Sequence, residues 1–493
     1  MRGLCYSARD SQGAENTVAS EHSQERRYEQ VRGHFRDHGQ DQIFRFWDRL
    51  DAPGRQKLLE QATRVDLEAL ERAHAANRAR AESSPVDLEV IPIERLPSRG
   101  GDPEAADRAR RCGEQALAKG RVCALAVAGG QATRLGFSDP KGTFRVGPVS
   151  QRTLFEQQAQ KVRGLRRRYA RPLPWYIMTS DSTDAATREF FASADCFGLP
   201  ENDVIFFRQE MVPSLDFDGR LILERPDRIF ENPNGHGGSL TALLSSGALD
   251  DMERRGVDTV FYYQVDNPLI QIADPVYLGF HLAAGAEMSC KVIRKLDPKE
   301  NVGVVARAGG QIGIVEYTEI SDEHRFATDQ DGELVYWAGN AAIHLFTTSF
   351  IRRIASRAEE LLPYHTSARK IPTIDDDGNT VQPSAPNGHK LERFVFDALA
   401  AARSVCVVEG DRASEYSPIK NAEGTDSPAS ARRDLVALYR SWLEDAKIEL
   451  PSDGAAIEID HSRVDGPDEA RQLGIRRCAE ATDVILVADR ANA

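Results

Sequence analysis

The sequence predicts an α/β fold, a mostly parallel sheet flanked by helices on both faces. Three observations carry this. Short apolar runs alternate with amphipathic helical runs through the middle of the chain. The first such run, VCALAV, passes straight into a glycine turn, as a buried strand does. The 493 residues are 41% hydrophobic and 28% charged, ordinary globular usage, and suffice for two to four domains with a sizeable core.

Residues 1–20 are polar and patternless, a segment expected to be mobile. From about Glu25 to Glu82 the stretches IFRFWDRL and KLLEQATRVDLEALERAHAANRARA place apolar residues at helical spacing, with Pro53-Gly54 separating at least two helices. His34 and His38 stand at i and i+4, a metal-ligand spacing. With no HExxH glutamate and no third ligand in the neighbouring sequence, they read as surface or half-buried histidines. After the Pro/Gly-rich VIPIERLPSRGGDPE, strands are expected at VCALAV, PWYIMTS, VIFFRQ, TVFYYQVDN and MSCKVIRK. Helices are expected at TLFEQQAQKVRGLRRRYA and, capped, at DSTDAATREFFASADCFG. VGVVARAGGQIGIVEYTEI reads as a hairpin turning at Gly309-Gly310, and GNAAIHLF as a further strand. LERFVFDALAAA reads as a helix, VCVVEG as a strand, and the last 45 or so residues as a small β-rich tail.

The net charge of −13 argues against a general nucleic-acid or anionic-membrane partner. There is no apolar run of 18 residues and no apolar segment near the start, so neither a membrane span nor a secretory signal is expected. Seven scattered cysteines, an odd number with no CxxC pair, suit a reduced cytoplasmic chain.

The strongest local signal is the loop after the first strand, Val127-Ala128-Gly129-Gly130-Gln131-Ala132-Thr133-Arg134-Leu135-Gly136, followed by Pro140-Lys141-Gly142. Adjacent glycines let backbone N–H groups approach a phosphate, and Arg134 and Lys141 add positive charge. A Walker loop is excluded because Lys141 precedes Gly142, and a dinucleotide fingerprint because GxGxxG is absent. The alternative is a generic βα turn with two solvated basic residues.

GGQATRLG followed by PKG resembles the signature loop of nucleotide-sugar pyrophosphorylases, with Ala132 where a glycine is usual. NPNGHGGSLTALLSSG, YYQVDNPLIQIADP, IVEYTEIS, KIPTIDDDGNTVQPSAPNGHKLERFVFDAL and EYSPIKNAEGTDSPASAR, in order, resemble the UDP-N-acetylhexosamine pyrophosphorylases from roughly residue 100 to 435. The resemblance implies a Rossmann-like nucleotidyltransferase domain at 99–380, a helical N-terminal region at 1–98, and a C-terminal region at 381–493. It implies a uridylyltransferase that joins UTP to a sugar 1-phosphate, most naturally N-acetylglucosamine 1-phosphate, releasing pyrophosphate.

The site residues follow from the same resemblance. Val127, Ala128, Gly129, Gly130 and Lys141 would hold UTP, Gln209 and Gly235 would meet uracil, and Lys390 would reach the phosphates. His236, Glu316, Asn340 and Lys420 would meet the sugar phosphate. Arg134, Lys141 and Lys420 would be catalytic, and Asp266 would hold Mg²⁺. Read without the family, Gln209 is a polar strand end and Asp266 is as good a turn residue as a metal ligand. Lys390 and Lys420 are then solvated charges. His236 departs from the Asn usual in the N-acetylhexosamine enzymes and matches the Gly-His-Gly of UDP-glucose and broad UDP-sugar pyrophosphorylases, so a plain hexose is the alternative substrate. A non-catalytic UDP-sugar sensor is the third reading. The chemistry would be in-line displacement at the UTP α-phosphate, needing no covalent intermediate and no general base. The resemblance leaves the chain a monomer or weak homo-oligomer, with UTP and sugar 1-phosphate as its partners.

Overall fold

The structure is a computed structural model that describes residues 25–81, 88–450, 456–472 and 484–486. The segment 1–20, expected to be mobile, lies outside them. The chain divides into two compact units.

The first unit comprises the described part of Met1–Ser83, with Met211–Gly235 and Pro363–Phe394. Its helices are α1 (25–37), α2 (Ala52–Ala62) and α3 (Leu67–Ala81). Asp51 caps α2, accepting from the Gly54 amide, and Pro53 sits in the first turn, where its missing N–H costs nothing. Pro53-Gly54 therefore opens a helix. IFRFWDRL, expected to be helical, forms two short 3₁₀ turns, Asp41–Phe44 and Trp47–Arg49. Gln40 and Phe46 stand at their N-caps with no side-chain cap bond, so nothing nucleates a longer helix. Tyr28 stacks on Trp47 at 4.0 Å, and both pack with Phe35, Leu58, Leu215 and Leu391. The strands Tyr364–Arg369, Gly388–Arg393 and Leu215–Asp216 make a three-stranded antiparallel sheet in that order.

The helical region is thus completed by strands from far along the chain. This division differs from the expected consecutive spans 1–98, 99–380 and 381–493, because the apolar faces of these helices are covered by Leu215, Leu223, Ile229 and Leu391 from the later segments.

The second unit is built on a ten-stranded mixed sheet. Its strands are β1 (Leu88–Glu89), β2 (Val122–Val127), β3 (Trp175–Thr179), β4 (Val204–Arg208), β5 (Thr259–Gln264), β6 (Met288–Arg294), β7 (Val304–Ala308), β8 (Gln311–Val315), β9 (Ala338–Thr347) and β10 (Val405–Glu409). The order β1-β7-β9-β5-β2-β3-β4 contains a parallel run, β5-β2-β3-β4. The long strand β9 runs antiparallel to β5 and to β6, and β6 pairs in parallel with β10. β7 and β8 form the expected hairpin, with Gly309 and Gly310 at φ +56° and +83°. β2 is buried along its whole length, as its unbroken apolar sequence requires.

Helix α4 (Leu154–Tyr169) follows the glycine loop and opens with a capping box between Thr153 and Glu156. The helix expected at DSTDAATREFFASADCFG spans Asp184–Ser193, without a side-chain cap bond from Thr183. LERFVFDALAAA, expected as one helix, splits. Leu391–Arg393 finish a strand of the first unit, and only Ala398–Ala401 is α-helical. Near the C-terminus, among the described residues, the expected β-rich tail holds Ile457–Ile459 paired in parallel with Val484–Leu486, and a short helix, Pro467–Gln472. An 18-residue helix, Pro428–Asp445, precedes it. None of the described helices is long and apolar enough to cross a membrane.

Candidate active site

The parallel pairing sets Val127, Met178 and Gln264 side by side, with Arg208 next to Thr179, at the carboxyl edge of the sheet. This is where open α/β sheets collect ligands. Three connections leave that edge together. The Ser180 hydroxyl donates to the Gly129 carbonyl (2.8 Å), the Gln209 amide to Thr179 (2.9 Å), and the Val265 amide to Val127 (3.1 Å).

The glycine loop is tied into a compact fold. The Lys141 amide donates to Gly130 O (3.2 Å), and a 3₁₀ turn at Thr133–Leu135 closes on Gly136 at φ +69°. Ala132, where a glycine is usual, has φ −94°, a conformation that alanine adopts freely, so the departure costs nothing. Gly129 is different. A Cβ there would stand 2.3 Å from Nε2 of Gln209, so only glycine lets the Gln209 amide lie against the loop. Arg134 is exposed on the 3₁₀ turn.

Lys141 crosses from this loop to Asp266, two residues beyond β5, with Nζ 2.8 Å from Oδ2. The two side chains are 18% and 16% exposed. Burial alone would raise the Asp266 carboxyl; Lys141 and Lys420 reverse this and hold it below the usual carboxylate range. Lys420 is half-buried, which favours its neutral form, but Tyr416, Asp266 and Asp426 raise it above the ordinary lysine value. Its Nζ donates to Tyr416 Oη at 3.3 Å. The result is an ionised carboxylate set between two lysines and half-sheltered from water.

The backbone around Asp266 is held from several sides. Gln158 of α4 donates to Val265 O (2.8 Å), and Lys161, one turn on, donates to Pro268 O and Ile270 O, both at 2.7 Å. Burial lowers Lys161 to about 8. Asn267 binds the segment that carries Lys420: its Nδ2 donates to Glu415 O (2.7 Å) and its Oδ1 accepts from Ser417 N (3.1 Å). The Ile419 amide donates to Asp266 O (2.9 Å). Asp266 and Lys420 are therefore two ends of one hydrogen-bonded assembly.

Glu415 is fixed in turn. Lys291 of β6 is 1% exposed and bonds both Asp274, at 2.8 Å, and Glu415. Burial would raise the Asp274 carboxyl, but Lys291 holds it low; burial pushes Glu415 up.

Beside this assembly lies a cavity of about 280 Å³ whose lining includes Asp266, Lys420, His236, Glu316, Asn340 and Tyr317. Asn340 sits at a bulge in β9, where the register against β6 slips between Lys291 and Val292 and Ala342 takes φ +55°. Its Oδ1 accepts from Ala342 N (2.9 Å), which leaves the amide NH₂ as the group offered to the cavity. His236 accepts from Val395 N through Nδ1 (3.1 Å), placing its ring proton on Nε2.

The second unit thus brings together Lys141, Asp266, Lys420, His236, Glu316 and Asn340, with Val127–Gly130 and Gln209 along the same sheet edge. Gly235 and Lys390 belong to the first unit. There Gly235, at φ +76°, lies against the Arg393 backbone, where a Cβ would come within 2.6 Å of its carbonyl, and Lys390 pairs with Glu392 at 2.8 Å. Sequence reasoning missed Asn267, Tyr416 and Lys161. Asn267 reads as turn chemistry in Asp-Asn-Pro, and Lys161 as one more charge on a helix.

A glycine loop and two lysines converging on a carboxylate, next to a small cavity at the carboxyl edge of the sheet, define an α/β protein with a site of the nucleotide-binding kind. Residues 78–436 match the family described as UTP--glucose-1-phosphate uridylyltransferase. The chain is 40% identical to the human UDP-N-acetylhexosamine pyrophosphorylase-like protein 1 over 84% of each chain. It is 35% identical to the UDP-N-acetylglucosamine pyrophosphorylase of Saccharomyces cerevisiae, over 86% of this chain and 93% of that one. The crystal structure of the Trypanosoma brucei uridine diphosphate N-acetylglucosamine pyrophosphorylase superposes with a TM-score of 0.79 at 28% identity, over 90% of this chain and 94% of that one. The chain belongs to the UTP--glucose-1-phosphate uridylyltransferase family.

Proposed function

We propose that this protein is a uridylyltransferase that joins UTP and N-acetylglucosamine 1-phosphate to give the UDP-sugar and pyrophosphate. The observation that carries the reading is the Lys141–Asp266–Lys420 cluster beside the cavity, set at the carboxyl edge of the sheet behind the glycine loop. The relatives' names supply the nucleotide and the sugar.

In this reading the loop amides of Val127–Gly130 and the Lys141 ammonium bind the triphosphate, and Gln209 reads the uracil edge with its paired donor and acceptor. Arg134 meets the leaving pyrophosphate, and Gly235 and Lys390 serve the nucleotide from the first unit. Lys420 steadies the sugar phosphate, an anion that needs no base to attack. Glu316 accepts from sugar hydroxyls, while Asn340 and His236 donate to the sugar through Nδ2 and Nε2. Asp266 fits Mg²⁺, which takes one or two carboxylates and fills its shell with phosphate and water oxygens; the lysines keep this carboxylate ionised. The bound ion would neutralise phosphate charge.

The test is pyrophosphate release from UTP and Mg²⁺ with N-acetylglucosamine, N-acetylgalactosamine, glucose and galactose 1-phosphates in parallel. Release chiefly with the N-acetyl sugars is expected. Release chiefly with plain hexoses would transfer the protein to the second reading, which His236 favours. Binding of UDP-sugar with no release from any substrate would favour the sensor.

Gly129→Ala probes the nucleotide half of the site. The added methyl drives the Gln209 amide away, so KM for UTP is expected to rise roughly tenfold or more, the loss of one hydrogen bond to the base. An unchanged KM would remove Gln209 from uracil recognition.

A further inference from the structure

The two histidines that the sequence leaves without a third ligand acquire one from the fold. His34 and His38 are one turn apart at the end of α1, with ring centroids 4.8 Å apart. Glu68, in the first turn of α3, brings a carboxylate to the same place, and one donor atom from each of the three lies within 4.8 Å of the others. An ion about 2.1 Å from each ligand sets tetrahedral donors ~3.4 Å apart. His34 and Glu68 are exposed and can close that distance by rotamer adjustment.

A further contact marks His38 as more than an exposed ring. Its Nδ1 lies 2.8 Å from Oε1 of Glu71, one turn along α3 from Glu68, while its Nε2 faces Oε1 of Glu68 at 3.7 Å. A neutral imidazole that donates Nδ1–H to a carboxylate presents the Nε2 lone pair outward. That carboxylate–histidine pairing is how metal-ligating histidines are fixed in tautomer and orientation. The nitrogen-rich donor set suits Zn²⁺ or a neighbouring transition metal, whereas Mg²⁺ prefers oxygen ligands.

We propose that His34, His38 and Glu68 form a zinc-type metal site, with Glu71 orienting His38, that clamps α1 to α3. The site is independent of the proposed catalytic residues.

The test is titration of the full chain, first stripped with a chelator, with Co²⁺ followed by its visible absorption. Expected are the bands of four-coordinate cobalt at one ion per chain, their displacement by Zn²⁺, and a rise in melting temperature with Zn²⁺. His34→Ala and Glu68→Gln should each weaken binding at least ~10-fold. Glu71→Gln should weaken it about 10-fold without abolishing it. His34→Ala, an exposed change checked by circular dichroism, should leave Mg²⁺-dependent turnover unchanged. Equal cobalt binding by the wild type and both ligand variants, or no four-coordinate bands in the wild type, would overturn the site and leave an ordinary His–Glu ion pair.

Discussion

Replacing Asp266 with alanine is expected to lower pyrophosphate release by about a hundredfold or more while the protein stays folded. The estimate is the loss of one charged transition-state contact, ~3 kcal/mol. Folding should survive for reasons visible in the site. The Ile419 amide bonds the backbone carbonyl of residue 266 and needs no carboxylate. Lys420 keeps Tyr416 and Asp426 as partners, and Lys141 is open enough to turn toward water. The pH dependence has a definite sign. Lys141 and Lys420 hold the Asp266 carboxyl below its unfolded value, so the stabilisation from this cluster is present above the ordinary carboxylate pKa and is lost as pH falls through the lower folded one. Rates within threefold of wild type in a folded Asp266→Ala variant would remove Asp266 from the chemistry.

The second large effect is on stability. Lys291→Met leaves Asp274 and Glu415 facing each other in the interior without their cation, and is expected to cost about 3–5 kcal/mol, measured by urea unfolding. Replacing all three residues by apolar ones of similar volume should restore most of the loss, because the desolvation penalty disappears with the charges. In the single variant kcat should fall as well, since Glu415 anchors the chain that Asn267 holds and that leads to Lys420. A melting temperature equal to wild type would show that the triad is not a structural anchor.

Much of the fold was legible because its strands are short, apolar and bounded by turn residues. VCALAV, WYIMT and TVFYYQ announce themselves, and Gly309-Gly310 announces a hairpin. What the sequence hid depends on partners distant in the chain. The run LERFVFDALAAA has helical spacing, yet Leu391 is claimed by a strand pairing with Thr366. For the site, the loop and Lys141 could be read locally and Asp266 through the family resemblance, but the Lys141–Asp266 ion pair spans 125 residues and no spacing rule predicts it. Asn267 was invisible for the same reason: its partners, Glu415 and Ser417, lie about 150 residues on. Glu68 became a neighbour of His38 only through the packing of two helices.

The composition of the first unit sets a timetable for biosynthesis. Its helices are complete by residue 83, but the strands that cover them end at Phe394. At ~5–20 residues per second, the ribosome needs roughly 15–60 s to deliver the last of that cover. Throughout that interval the nascent helices carry Tyr28, Phe35, Trp47 and Leu58 without their finished core. A fragment ending near residue 98 would be stranded in the same condition, so the N-terminal region is a poor candidate for separate expression.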